Sequence, residues 1–279
     1  FKQKTAYEIG VRLVGSEMCI RDRYSRRGFL GQASRLAAAS IVLGRLPAKT
    51  KTRTSVDGEI KVAVIGCGGR GAGAAAQAME ADKDVQIVAL ADAFLDQAMD
   101  CFSSLKEKHG DSGQLMVNKE SVFTGFDGYI EAINLADVVI LTTPPAFRPI
   151  HFEYAVKQNK HIFMEKPVAT DVAGIKKIIK AGNIARQKKL NVVVGLQRHY
   201  QKNYKTIFKK FKQGKVGDIV SGQVYWNSGG VWVRPREKNQ TELEYQMRNW
   251  YYFNWLCGDH IVEQHIHNID AVSYTHLRA

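Results

Sequence analysis

The chain has 279 residues, 45% of them hydrophobic and 24% charged, with a formal net charge of +13. That length and apolar content support one large or two ordinary packed domains, and exclude a disordered, collagen-like or disulfide-stapled small protein. Residues 1–57 hold twelve Lys/Arg against four Asp/Glu, so the basic balance mostly describes the N-terminal stretch and does not argue for a nucleic-acid partner.

In chain order, residues 14–23 continue no pattern beside them, and neither do residues 272–279. Both resemble translated sequencing-adapter DNA. Residues 1–23 and 272–279 are therefore expected to be non-native, with the true C-terminal part missing, and are set aside. Residues 24–57 carry Arg26-Arg27, Phe29 and an apolar run at 36–43, followed by a polar linker. This reads as a twin-arginine export signal, with a periplasmic or secreted location and no membrane association once the signal is removed. The run is far shorter than the roughly 20 residues of a membrane span. Outside the adapter-like end, Cys67, Cys101 and Cys257 form no close pair, which gives neither a disulfide framework nor a zinc site.

Residues 60–65 are a short apolar strand that ends in Gly66-x-Gly68-x-x-Gly71 and opens into a small-residue helix at 72–79. Gly66 permits a tight turn, Gly68 lets backbone approach a pyrophosphate, and Gly71 lets helix and strand pack closely. The helix N-terminus then faces the anion, with Gly69 and Arg70 in the glycine turn beside it. A second strand at 85–91 ends in Asp92, 26 positions after Gly66. A carboxylate there grips a ribose 2′-hydroxyl and repels a 2′-phosphate, so NAD is expected over NADP.

A helix follows at 95–109, then a turn at 125–128 into a helix around 129–133. A buried strand at 138–141 is stopped by Thr142-Thr143-Pro144-Pro145. Further on come a helix at 149–156, a strand at 162–164, a helix at 172–186 and a strand at 191–195. Alternating strands and helices predict a doubly wound parallel sheet, here the dinucleotide-binding domain at 58–189, with its ligand at the strand C-terminal ends. After Gly195 the character changes to a basic amphipathic helix at 201–211, a strand at 219–226 and an aromatic-rich stretch. Residues 190–271 are expected to be a truncated α+β domain on an open, mostly antiparallel sheet that serves substrate binding and oligomerisation.

Several of these motifs together resemble the glucose-fructose oxidoreductase, inositol dehydrogenase and rhizopine-catabolism (Gfo/Idh/MocA) family, in its secreted branch. They are the glycine turn, Thr142-Thr143-Pro144, His151, HIFMEKP at 161–167, Gly195-Leu196-Gln197-Arg198 and GDHIVEQHIHNID at 258–270. The resemblance implies that Lys166 lies by the nicotinamide and shuttles the substrate hydroxyl proton. It also implies an acid–histidine pair, here Glu263 and His267, which share a helix face at i and i+4. Members commonly carry Asp where Glu263 stands. Thr143, Pro144, Glu165 and Gln197 join the expected cofactor contacts, and Arg198, Asp259, His260 and Trp250 the substrate contacts. His151 fits a helix cap or cofactor-loop contact as well as a catalyst. The histidine-rich run is not read as a metal site, since His265 and His267 point apart on a helix.

The expected function is hydride transfer between NAD and a hydroxyl of a sugar or cyclitol, with Lys166 and His267 moving the proton. An exported enzyme would carry its cofactor with it, so a redox-neutral NAD-dependent glycoside hydrolase that retains the cofactor is an alternative. A non-catalytic sugar-binding protein is a third. A homo-oligomer is expected for the full-length protein.

Overall fold

In the computed structural model, which describes residues 58–273, Ile60–Ile65 (β1) sits at the centre of a six-stranded parallel sheet. Val62 and Val64 face one side of the sheet, Ala63 and Ile65 the other, and all four are buried. A strand covered on both faces needs a continuous apolar run rather than an alternating one.

From β1 the chain winds outward through Gly69–Ala81 (α1), Val85–Asp92 (β2), Leu95–His109 (α2) and Val122–Thr124 (β3). Gly128–Leu135 (α3) crosses back to Val138–Leu141 (β4) on the other side of β1. Arg148–Lys157 (α4), His161–Met164 (β5), Val172–Gln187 (α5) and Val192–Val194 (β6) complete that half. The spatial order is β3-β2-β1-β4-β5-β6. Helices α1 and α2 pack on one face through Ala75, Met79, Ala98 and Leu105. Helices α3, α4 and α5 pack on the other through Ile133, Phe152, Val156 and Ala185. The order reverses between β1 and β4, and the loops leaving these two strands diverge to open a crevice at their C-terminal ends.

Residues 60–195 alternate as the sequence predicts, with shifted boundaries. The helix after the glycine turn begins at Gly69 rather than at 72, and β6 extends the sheet past residue 189 through its pairing with β5. The three-residue β3 is too short for its periodicity to register, and it forms because β2 offers it a partner.

The strand expected at 219–226 does not form. Residues 217–237 carry no helix or strand, and no described segment runs beside them to satisfy a ladder. The open antiparallel sheet expected for residues 190–271 is likewise absent among the described residues. That stretch instead holds Lys202–Lys212 (α6), Glu242–Arg248 (α7), Asn254–Cys257 (α8) and a π turn at Ile261–His265 that runs into Ile266–Val272 (α9). The twin-arginine stretch and the adapter-like N-terminal segment lie outside the described residues. No described helix is long and apolar enough to cross a membrane.

Two glycines of α1 separate packing from propensity. A Cβ on Gly71 would lie 2.0 Å from the Gly66 carbonyl oxygen, whereas one on Gly73 meets nothing within 4 Å. Gly71→Ala is expected to destabilise by about 1–3 kcal/mol and to abolish dinucleotide binding. Gly73→Ala is expected to stabilise by about 0.5–1 kcal/mol. Thermal melts with a parallel NAD titration check both.

Candidate active site

Gly66 turns the chain out of β1 with φ of 96°, a left-handed conformation that favours glycine. A Cβ there would lie 2.4 Å from the Thr143 backbone nitrogen, so the end of β1 touches the end of β4 directly. Thr142 Oγ1 closes the contact from the other side by donating to the carbonyls of Gly66 at 2.6 Å and Ile65 at 3.1 Å. Added Cβ atoms on Gly68 or Gly69 meet nothing within 4 Å. No side chain caps the first N–H groups of α1, which leaves them available to an anion.

A cavity of about 480 Å³ opens over this turn, within the ~300–1,000 Å³ range of small-molecule sites. Gly66, Gly68, Gly69, Arg70 and Gly71 line it, with Asp92, Thr143, Pro144 and His151. Asp92 is fixed from behind, since it accepts the Cys67 N–H at 2.7 Å and the Phe94 N–H at 3.0 Å. Burial raises its pKa against the pull of those two bonds. A carboxylate has about four lone-pair sites, so positions remain for a diol. Glycines placed against backbone, an uncapped helix end and a strand-end carboxylate on one wall fit a dinucleotide. The Cys67 thiol packs beneath, and contact with Cys101 followed by burial pushes its pKa well above the usual thiol value. It remains protonated and serves packing.

Two buried side chains brace the loop after β4. His151 Nδ1 shares a hydrogen bond with Thr143 Oγ1 at 3.2 Å, and its ring lies 4.4 Å from that of Tyr129. Burial, then Arg148, push its pKa down to about 3, so it is a neutral wall at physiological pH. This suits a cofactor-loop contact rather than proton transfer. Arg148, 2% exposed, donates to the carbonyls of Thr143 and Pro167 and so ties the β4 loop to the loop after β5. Burial lowers its pKa to about 10, which leaves it a cation.

A second cluster lies outside the cavity lining. Lys166 Nζ donates to Glu263 Oε1 at 2.8 Å and also to the Glu263 carbonyl. Both side chains are about nine-tenths buried. Burial raises the Glu263 pKa, against the downward pull of Lys166. His267 packs on the Trp226 ring, centroids 5.6 Å apart, and burial, then Lys166 and Arg198, lower its pKa to about 4. Glu263 Oε2 and His267 Nδ1 are buried without a hydrogen-bond partner. Glu263 belongs to the π turn and His267 to α9, so the expected regular i, i+4 helix is interrupted between them. Arg198 donates to the His267 carbonyl and to Asn268 Oδ1.

Arg70 links the two regions, its Nε donating to Glu165 Oε1 at 2.6 Å. Gly195 packs so closely on the Glu165 carboxylate that a Cβ would lie 2.7 Å from Oε2. The remaining expected residues separate. Gln197, Asp259 and His260 are exposed and line no part of the cavity, whereas Trp250 lines the dinucleotide cavity rather than the Lys166 cluster. Among the described residues, no group of three or more His, Cys, Asp or Glu could hold a metal.

Residues 60–196 match the Gfo/Idh/MocA model, described as an oxidoreductase family with an NAD-binding Rossmann fold. This part of the chain is similar to that family's NAD-binding domain. Among curated relatives, inositol 2-dehydrogenase of Azotobacter vinelandii is 37% identical over 92 residues, covering 32% of this chain and 26% of its own length. An NADP(+)-dependent scyllo-inositol 2-dehydrogenase of Bacillus subtilis is 26% identical over 160 residues, 50% of this chain and 42% of its own. The solved myo-inositol 2-dehydrogenase of Lactobacillus plantarum superposes with a TM-score of 0.55 at 19% identity, covering 78% of this chain and 56% of that one, and so shares the fold. The chain thus spans at most about half the length of these relatives.

Arg148, Trp226, Phe94 and Arg248 were not singled out in the sequence. Arg148 stands beside Pro149 and His151 at the start of α4, which is a weak local signal. The other three act through contacts 41, 152 and more residues away in sequence, and no spacing rule reports those.

His151 and His267 are neutral in the fold but take up protons below about pH 6.5 when unfolded. Stability is therefore expected to fall as pH drops from about 6.5 toward 4, with a slope of up to about 1.4 kcal/mol per pH unit for each histidine. Denaturant titrations across that range measure the slope, and His151→Gln should remove its share. A pH-independent stability would contradict the assignment.

Proposed function

We propose that this chain carries the cofactor-binding and proton-transfer parts of an exported NAD-dependent oxidoreductase acting on a hydroxyl of a sugar or cyclitol. The observation that carries the reading is the Lys166–Glu263–His267 cluster. It places a lysine, a carboxylate and a neutral imidazole together, with two buried polar atoms left unmatched. Buried polar atoms ordinarily find a partner, and a polyol can supply hydroxyl partners to both. The relatives named as inositol dehydrogenases support the substrate class, and Arg26-Arg27 with the apolar run after it supports export.

Bound NAD supplies the hydride acceptor. The chain's own residues handle the proton. Oxidising a secondary alcohol releases the hydroxyl proton, and His267, neutral above about pH 4, can receive it at its free nitrogen. The Lys166 ammonium, held by Glu263, directs a positive charge at the oxygen and stabilises developing alkoxide character. Glu263 orients the lysine through Oε1 and leaves Oε2 for a neighbouring substrate hydroxyl. Arg198, tied to the backbone of His267 and to Asn268, holds α9 and thereby the imidazole. Asp92 supports NAD over NADP by charge repulsion of a 2′-phosphate, although one relative is named as NADP-dependent.

A second reading, redox-neutral glycoside cleavage with a retained cofactor, is favoured by the aromatic and arginine side chains that cover the dinucleotide cavity, Trp232, Arg234 and Trp250 among them. Released aglycone without net NADH selects this reading, and accumulating NADH selects the dehydrogenase.

Lys166→Ala and His267→Ala are each expected to lower kcat by about 10²–10⁴ while NAD still binds. Absorbance of NADH with a panel of cyclitols and sugars, alongside NAD titration, checks this. A non-catalytic sugar-binding protein would show no turnover with any of them, and the variants would change nothing.

A further inference from the structure

The wall of the dinucleotide cavity opposite the glycine turn comes from far along the chain, and it is fastened in place. Arg248, at the end of α7, donates through Nη1 and Nη2 to both oxygens of Asp96, at 2.8 and 3.2 Å. Asp96 lies in the first turn of α2, four residues after the ribose-facing Asp92. The Arg248 guanidinium lies 4.1 Å above the Phe94 ring, and Glu244 holds its Nε at 3.0 Å. Both Arg248 and Phe94 line the cavity.

The segment before α7 is pinned over the same cavity. Asn249, 2% exposed, accepts the Arg234 N–H at 2.7 Å and donates to the carbonyls of Arg234 and Tyr245. The Tyr252 hydroxyl donates to the Val231 carbonyl at 2.7 Å and accepts its N–H at 3.1 Å. Residues 231–234 are thus held at both ends, which sets Trp232 against Trp250, ring centroids 5.9 Å apart, on the cavity wall. Arg234 lines the cavity, and its backbone is held by Asn249. An irregular segment fixed by one buried asparagine and one tyrosine hydroxyl has a defined conformation despite carrying no helix or strand.

We propose that residues 231–250 clamp the dinucleotide onto the Rossmann crevice, with the Arg248–Asp96 fork as the latch, Trp232 and Trp250 as the cover and Arg234 as a cation facing the diphosphate. This rests on the NAD reading above and adds which residues set the residence time. Contacts between these elements and the cofactor slow its departure more than its arrival, because most affinity differences lie in the off-rate. The latch is half-exposed, since Asp96 keeps 52% of its side-chain surface, so added salt weakens it.

The test is the NAD dissociation rate of the full chain, read by tryptophan fluorescence after rapid dilution to an NAD concentration far below its dissociation constant. Trp232 and Trp250 report directly from the cavity wall. Arg248→Ala, which removes fork and ring contact together, is expected to release NAD about tenfold faster, equivalent to about 1.4 kcal/mol. Asp96→Asn, which removes the charge and keeps the shape, is expected to give a smaller increase. High salt should speed release from wild type more than from Arg248→Ala, which has already lost the latch. Equal dissociation rates in wild type and both variants, with no salt effect, overturn the clamp while leaving NAD binding intact. Failure of the wild-type chain to bind NAD at all overturns both readings.

Discussion

The contact on which the ligand chemistry depends is the one between Gly66 and the backbone of Thr143. β1 and β4 are the two strands at which the sheet order reverses, and their ends meet with no room for a methyl group. Because Gly66 permits that approach, α1 can start at Gly69 and return across β1 with Gly71 against the Gly66 carbonyl. The uncapped end of α1 then opens on the crevice rather than on the core. The apolar runs of β1 and β4 exist to make this closeness stable, since helices bury both their faces.

The loops beyond the strand ends transmit that geometry to the polar cluster. Arg148 holds the carbonyls of Thr143 and Pro167, so the residue that faces Gly66 and the residue after Lys166 are fastened to one planar cation. Arg70 and Glu165 make a second connection, from the glycine turn to the residue before Lys166. Lys166 is therefore positioned from both neighbours. Its partner Glu263 is buried against the preference of a carboxylate for water, and the ion pair offsets part of that cost. The same burial keeps His267 neutral, which a proton acceptor requires.

The Rossmann half was legible because its signals are local. The glycine spacing, the strand-end Asp92 and the switch between strand and helix periodicity all operate within about 30 residues, the length of one βαβ unit. Short β3 carried too few residues for a pattern, and the edge of the sheet supplied what the sequence did not show. Past residue 196 the basic helix expected at 201–211 forms as Lys202–Lys212, whereas the strand expected at 219–226 does not, for the opposite reason. Residues 219–226 have strand-forming composition, but a strand needs a neighbour, and here the chain is held by the side chains of Asn249 and Tyr252 instead. Trp250 was expected near substrate and lies over the dinucleotide cavity, because ring composition reports stacking capacity and not location. Glu263 and His267 were named through resemblance, and the π turn between them has no spacing signature.

The central claim is that the crevice between β1 and β4 holds a dinucleotide with its nicotinamide end toward Lys166. A crystal structure of the full chain with NAD measures this directly. The account predicts the pyrophosphate oxygens within hydrogen-bond distance of the backbone N–H groups of Gly68, Gly69 or Arg70. It also predicts the adenosine ribose at Asp92 and the nicotinamide ring on the Lys166 side of Thr143. A dinucleotide bound elsewhere, or one whose nicotinamide lies at Phe94 and Arg248, would contradict it.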